Sequence, residues 1–71
     1  MTTYKLVCRY LDAGREHAEP SIPAQNLQEC AALVRACVLN NDLGAGEWIA
    51  GEVYDGEKLV AKLAYNGRAI A

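Results

Sequence analysis

Residues 48–65, WIAGEVYDGEKLVAKLAY, have a pattern that predicts a β-hairpin, around which the rest of the fold can be placed. Two largely apolar segments, residues 48–54 and 58–65, lie on either side of Asp55-Gly56. Asp-Gly between two such segments is the strongest signal for a hairpin turn in the chain. A three-residue loop, Asp55-Gly56-Glu57, would give the hairpin one wholly apolar side. The facing pairs on that side are then Val53 with Leu59, Gly51 with Ala61, and Ile49 with Leu63.

The N-terminal segment predicts a second hairpin. As a strand, residues 4–11 would have one apolar side and one mixed side that includes both basic residues. The apolar side comprises Tyr4, Leu6, Cys8 and Tyr10, and the other comprises Lys5, Val7, Arg9 and Leu11. Gly14 suits the positive φ of a three-residue loop, so residues 16–19 can return as a short antiparallel strand. Pro20 and Pro23 end this strand, because proline cannot donate to a strand ladder.

One helix is predicted in the middle of the chain. Asn26 is a good N-cap, and Glu29 stands three residues further on, as in a capping box. The helix ends near Asn40-Asn41, ahead of Gly44. Its broad apolar face comprises Leu27, Cys30, Ala31, Val34, Cys37 and Val38.

Together these elements predict a two-layer α+β fold in one domain over residues 1–71. The order is β-β-α-β-β, or β-α-β-β if the short second strand does not form, and the helix covers one face of a mainly antiparallel sheet. A final Asn66-Gly67 turn would lay residues 69–71 along the sheet edge. A core of this size yields only a few kcal/mol, so we expect self-association.

Composition excludes several classes of protein. The chain has 71 residues, of which 52% are apolar, and its net charge is −2. A disordered chain would have a lower apolar fraction and a larger net charge. The start of the chain lacks the pattern of a secretory signal, and no apolar stretch has the roughly 20 residues of a spanning helix. Three cysteines are an odd number, which favours a reducing cytoplasm over a disulfide scaffold.

Candidate catalytic residues carry little signal. Cys30 and Cys37 lie two turns apart on the helix, about 10 Å along its axis, which is too far for a disulfide. Cys8 points toward the same core, so the three thiols are predicted to be small buried hydrophobes. His17 lies on a peripheral segment away from them. We predict no catalytic residue, no cofactor and no metal site, and hence no enzyme.

Positive charge and aromatic rings collect on the sheet face away from the helix, which we call the open face. In the predicted register this face includes all three lysines, and only Glu52 opposes them. Such a face has the physical features of a platform that stacks bases and holds phosphates. A simpler interpretation is that a sheet covered on one side has a polar second side. The candidate binding residues are Lys5, Arg9, Trp48, Tyr54, Lys58 and Lys62.

These observations give three hypotheses about function. The first, which we favour, is a non-catalytic cytoplasmic interaction module that forms a homodimer or binds another protein, with no membrane contact. The second is nucleic-acid binding by the open face. The third is a thiol-dependent enzyme or redox protein built on Cys8 and Cys37. Spare apolar surface supports the first hypothesis, at Ala32, Ala36, Leu39, Trp48 and Ile70.

Overall fold

The computed structural model describes residues 3–44 and 46–70, and their elements form two layers. Every strand pairing is antiparallel, and the helix packs on one face of the sheet. The predicted α+β class is therefore confirmed. In chain order the elements are β1 (Tyr4–Asp12), β2 (Arg15–Ala18), β3 (Ile22–Ala24), α1 (Leu27–Asn40), β4 (Trp48–Asp55) and β5 (Lys58–Leu63).

Strand β1 organises the sheet because it pairs with three other strands. The strand order is β2-β1-β4-β5, and β3 also pairs with β1. β2 pairs with residues 9–12 of β1 and β3 with residues 4–6, so both lie along one edge. The short second strand is confirmed. The sequence does not predict β3, because Pro20 and Pro23 argue against a strand, but proline is tolerated on an edge strand.

Both hairpin loops contain two residues, one fewer than predicted. The loops are Ala13-Gly14 and Gly56-Glu57. The φ angles of Ala13, Gly14 and Gly56 are positive, at +52°, +79° and +64°. Such angles are typical of two-residue hairpin turns, which match the twist of the strands they join. The predicted three-residue loops are wrong because the residues flanking each turn pair with one another.

The register of the β4–β5 hairpin also differs from the prediction. Gly51 pairs with Leu63 and Val53 with Ala61, two residues further along β5 than predicted. A bulge at Val60 then brings the strands back to the two-residue loop. Between Gly51 and Val53 one side of the hairpin is still apolar, because a shift of two residues keeps each side chain on the face predicted for it.

A second bulge moves Trp48 from the open face to the core. Tyr10 pairs with Trp48, whereas its neighbour in β1 pairs with Ala50, so Ile49 is the extra residue in β4. Trp48 is only 9% exposed, and its Nε1–H donates to the Leu63 carbonyl at 3.0 Å. The predicted placement of Trp48 on the open face, and as spare apolar surface, is therefore wrong.

Helix α1 begins and ends where the sequence predicts, and it packs closely on β4. Asn26 caps it, because the Asn26 Oδ1 accepts a hydrogen bond from the Glu29 N–H at 2.8 Å. A Cβ added to Gly51 would lie 2.8 Å from Val34 Cγ2, so only glycine lets the helix approach this closely. The largest fully buried side chains are Leu6, Val34, Val53, Cys8 and Cys30.

The segment after β5 folds back as predicted. Gly67 has a φ of +86°, and a Cβ there would lie 3.0 Å from the Ala31 carbonyl oxygen of α1. Glycine therefore allows this turn to rest against the helix. The Ile70 N–H then donates to the Lys62 carbonyl at 2.8 Å, which lays the chain along the edge of β5. The predicted edge segment also includes Ala71, which lies outside the described residues.

Candidate interaction surfaces

On the open face, carboxylates of the same chain hold the central arginine. Arg9 Nε–H donates to Glu52 Oε1 at 2.5 Å, and Arg9 Nη1 lies 3.5 Å from Glu16 Oε1. The Tyr54 hydroxyl donates to the same Glu52 oxygen at 3.2 Å. The hydrogen bond from Arg9 lowers the pKa of Glu52 below its ordinary value. Glu52 is therefore ionised at neutral pH, and the guanidinium is neutralised within the chain.

The structure brings together four of the six predicted binding residues on the open face and separates the other two from it. Trp48 lies in the core. Lys58 pairs with Asp55 on the other side of the sheet, because the bulge in β5 changes the register there and puts Leu59 on the open face instead. The predicted excess of positive charge is thus reduced. The four residues that share the open face are Lys5, Arg9, Tyr54 and Lys62.

The three thiols are poor nucleophiles. Cys8 and Cys30 are fully buried, and Cys37 is half-buried. Burial raises the pKa of all three thiols, to about 12 at Cys8. Because the thiolate is the reactive form of cysteine, thiols with raised pKa values react slowly at neutral pH.

His17 contacts an aromatic ring and a carboxylate. Its ring centroid lies 5.3 Å from that of Tyr10, and its Nε2 lies 3.8 Å from Glu19 Oε1. The Tyr10 hydroxyl donates to the same Glu19 oxygen. These contacts stabilise the packing of β2, and of the segment that follows it, against β1. Within residues 3–44 and 46–70, no group of three or more His, Cys, Asp or Glu side chains could hold a metal ion.

At the end of α1 the chain turns through a Schellman motif. The Leu43 N–H donates to the Val38 carbonyl at 3.0 Å, and the Asp42 N–H donates to the Leu39 carbonyl at 3.2 Å. Asp42 has a φ of +51°, the left-handed conformation that glycine usually provides at this position. An apolar contact between the residues at the two ends of the longer bond commonly accompanies the motif, and Leu43 and Val38 line one groove here.

This groove, which we call the α1 groove, lies between the C-terminal half of α1 and the turn after β5. Its volume is about 370 Å³. Leu39 is 80% exposed and Tyr65 is 45% exposed, so large apolar surfaces face solvent on both sides. Gly67 positions the Tyr65 side of the groove, because it allows the turn to contact α1. Four apolar or aromatic side chains line the groove: Val38, Leu39, Leu43 and Tyr65.

Opposite charges flank the α1 groove. Arg35 precedes Leu39 by one helical turn and Asp42 follows Leu39 by three residues, and both line the groove together with Asn66. The ion pairs found among the described residues include neither Arg35 nor Asp42. The last turn of α1 contains no basic residue. The Asp42 carboxylate therefore lies near the negative end of the helix dipole without a cation in that turn.

The sequence predicts part of the α1 groove but not its completed form. Leu39 stands out as too apolar for the outer face of the helix. Leu43 and Tyr65 are missed, because their positions depend on the left-handed residues Asp42 and Gly67. An apolar residue directly after a helix-ending residue could have indicated the Schellman motif. Three other residues of the predicted spare apolar surface are at least partly exposed: Ala32, Ala36 and Ile70.

Comparison with known proteins assigns no family to the chain. No protein-family model, no curated protein and no solved structure matches it. Among the residues that the structure describes, no helix is both long enough and apolar enough to cross a membrane. The geometry of the open face and of the α1 groove is therefore the basis for assigning a function.

Proposed function

We propose that this chain is a non-catalytic interaction module that forms a homodimer through the α1 groove. The observation that carries the proposal is the exposure of Leu39, which is 80% exposed beside the half-exposed ring of Tyr65. Leu39 does not stand alone, because it adjoins Val38, Leu43 and Tyr65 in the groove. A contiguous exposed apolar patch of this kind is typical of a surface that binds a partner.

The energetics favour a second copy of the chain. Burying one leucine side chain stabilises an association by about 1.5–3 kcal/mol. In a symmetric dimer the same surface is used by both subunits, so each groove residue contributes twice. The two Leu39 side chains then contribute about 3–6 kcal/mol before the cost of association is subtracted. A micromolar dimer needs a net of about 8 kcal/mol, so the other groove residues must contribute as well.

The chemistry of the thiols supports a role without catalysis. All three cysteines have raised pKa values because they are buried. A thiol-dependent reaction needs an accessible thiolate, which these environments disfavour. Thiol chemistry on Cys8 and Cys37 is therefore the weakest of the three hypotheses.

The nucleic-acid hypothesis retains Lys5, Tyr54 and Lys62, but it loses two of its main contributors. Trp48, the largest ring for stacking on bases, is buried. Arg9 is engaged by Glu52 and by a second carboxylate. A surface whose central cation is already neutralised attracts phosphate weakly.

The native mass tests the proposal. We expect sedimentation velocity to show the mass rising from one chain to two as the concentration is raised through the micromolar range. The variant Leu39→Asp should remain folded and should associate roughly 100-fold more weakly or worse, because two apolar contacts are lost and two charges are buried. Circular dichroism and thermal unfolding check the fold of each variant.

The matched control is Leu59→Asp, the same substitution at an exposed leucine on the open face. This variant should associate like the unchanged protein. A chain that stays monomeric up to high micromolar concentration would overturn the proposal. So would equal weakening by the two substitutions, since that result would place the contact elsewhere or make the effect nonspecific.

A further inference from the structure

We infer that the two subunits meet about a two-fold axis at the α1 groove, with Arg35 of each subunit paired to Asp42 of the other. This inference rests on the proposed self-association and specifies its geometry. The occupant of each groove is a second copy of this chain, and the recognition is reciprocal because the surface carries both partners of the ion pair.

The spacing of the groove residues is self-complementary. Arg35, Val38 and Leu39 follow the i, i+3, i+4 spacing of one stripe on α1, and Asp42, two residues beyond the end of the helix, lines the same groove. If two such stripes run antiparallel about a point midway between positions 38 and 39, each Val38 meets the Leu39 of the other subunit. The same operation places each Arg35 beside the Asp42 of the other subunit. The apolar contacts therefore lie at the centre, and the two ion pairs lie at the ends.

The conformation of Asp42 is the second observation. Its φ of +51° is one that L side chains other than Asn and Asp seldom adopt, and glycine is preferred there. Its carboxylate also lies near the C-terminal end of a helix, where negative charge is unfavourable. Compared with glycine, aspartate at position 42 is therefore disfavoured on both counts in an isolated subunit. A guanidinium supplied by the partner subunit would compensate the charge.

The placement of Arg35 is the third observation. A Cβ added to Gly67 would lie 2.7 Å from Arg35 Nη1, so the guanidinium rests over the turn that follows β5. The ion pairs found within the described part of the chain do not include Arg35. The turn thus positions a cation at one end of the groove, and the Schellman motif positions an anion at the other end.

Charge reversal tests this geometry. In the variant Arg35→Asp, each end of the interface would hold two carboxylates, and in Asp42→Arg each end would hold two guanidinium groups. We expect each single variant to associate roughly tenfold more weakly or worse, because like charges at an interface are strongly disfavoured. A mixture of the two variants should form a mixed dimer more readily than either variant forms its own dimer. In the mixed dimer each end pairs a carboxylate of one variant with a guanidinium of the other, so both ion pairs are restored.

The double variant Arg35→Asp with Asp42→Arg swaps the two charges within one chain. About the two-fold axis, each end of its dimer again holds one carboxylate and one guanidinium. We therefore expect the double variant to recover most of the association that each single variant loses. Recovery of this kind shows that the two positions interact, and preferential formation of the mixed dimer shows that they interact between subunits.

Loss of fold is controlled separately. If the arginine at position 42 strains the left-handed turn, Asp42→Asn removes the charge while keeping a residue that tolerates this conformation. It should weaken association without reducing the stability of the subunit. The control Arg15→Asp makes the same charge change on exposed strand β2 and should leave association unchanged.

The outcomes separate the two proposals. If the unchanged protein dimerises and both charge-reversed variants dimerise equally well, the ion pair is wrong and the homodimer stands. If the single variants are weak and the folded double variant is no stronger, the two-fold pairing is wrong. If the unchanged protein is monomeric at every concentration, both proposals fail, and another protein would be the remaining candidate for the groove.

Discussion

The open face and the α1 groove differ in where their side chains find partners. On the open face, Arg9 is bonded to Glu52 from another strand, and Tyr54 bonds to the same carboxylate. At the groove, Leu39 is exposed to solvent, and Asp42 is outside the ion pairs found in the described residues. Whether charged side chains find partners within the folded chain therefore says more about a binding surface than their clustering in the sequence.

The two surfaces also differ in how they are built. The open face depends on long-range strand pairing, which brings residues 43 positions apart into one ion pair. The groove depends on two local features, the Schellman motif at Asp42 and the left-handed Gly67 in the turn after β5. Substitutions at Asp42 and Gly67 should thus affect association, whereas substitutions on the open face should affect only the stability of the subunit.

The largest effect on subunit stability is expected from Gly67→Ala. An added Cβ would strain the φ of +86° and lie 3.1 Å from the Ala31 Cβ, so the turn must move away from α1. We expect a loss of roughly 2–3 kcal/mol in the free energy of unfolding, measured by urea titration. Association should weaken as well, because the Tyr65 side of the groove is displaced.

Gly14→Ala is the matched control for that substitution. Gly14 has a similar φ of +79°, but an added Cβ would have no atom within 4 Å. The strain alone should reduce stability by about 1 kcal/mol and leave association unchanged. Equal losses of stability and of association in the two variants would contradict the role assigned to the turn after β5.

A smaller effect, confined to the open face, is expected from Glu52→Gln. Arg9 lowers the pKa of Glu52, so the ionised carboxylate stabilises the fold above its ordinary pKa. That stabilisation is lost as the pH falls through the lowered pKa of the folded state. The variant should be about 1 kcal/mol less stable near neutral pH and should lose less stability on acidification.

Urea titrations from neutral to acidic pH measure both parts of this expectation. Sedimentation of Glu52→Gln at neutral pH should match the unchanged protein, because Glu52 lies on the open face and not at the groove. An acid dependence identical to that of the unchanged protein would show that this ion pair does not contribute to stability as described.

Asp42→Gly should separate the stability of the subunit from the stability of the dimer. Glycine relieves the left-handed conformation and removes the charge near the helix end, so the isolated subunit should gain about 0.5–1 kcal/mol. Measured in the non-associating Leu39→Asp background, this gain appears as a higher unfolding midpoint. In the otherwise unchanged chain, the same substitution should weaken association.

These opposite signs are the informative result for Asp42→Gly. A substitution that strengthens both the subunit and the dimer would indicate that the carboxylate has no role at the interface. One that weakens both would indicate that the Schellman motif needs the aspartate side chain itself.

The smallest effect is expected from replacing the two open-face lysines. The double variant Lys5→Gln and Lys62→Gln should change the free energy of unfolding by no more than about 0.5 kcal/mol and leave the mass unchanged. Fluorescence anisotropy with labelled single-stranded and duplex DNA at low salt should detect no binding by the unchanged protein. Binding that falls steeply with salt and is lost in the double variant would restore the nucleic-acid hypothesis.

Much of the fold could be predicted because its signals are local. The cap at Asn26, the apolar stripe on α1 and the Asp55-Gly56 turn each follow from a few neighbouring residues. The class of the fold depends on these signals and not on the register of any strand pair. The sequence therefore predicts the two layers even though it predicts one register incorrectly.

The candidate site was harder to predict because two bulges reassign side chains to opposite faces. The extra residue Ile49 sends Trp48 into the core, and the bulge in β5 replaces Lys58 with Leu59 on the open face. A bulge has no strong local signal, since its energy depends on how well both faces pack. The groove depends in turn on how the chain end packs on α1, which single-residue patterns do not encode.

An isotope-filtered NOE experiment on dimers mixed from labelled and unlabelled chains would locate the contact between subunits at the level of single side chains. For a dimer formed through the α1 groove, we expect intersubunit contacts from the Leu39 methyl groups to the partner subunit's Val38 and Tyr65, and none from Leu59 on the open face. Intersubunit contacts at Leu59, or a dimer that shows none at Leu39, would contradict this arrangement.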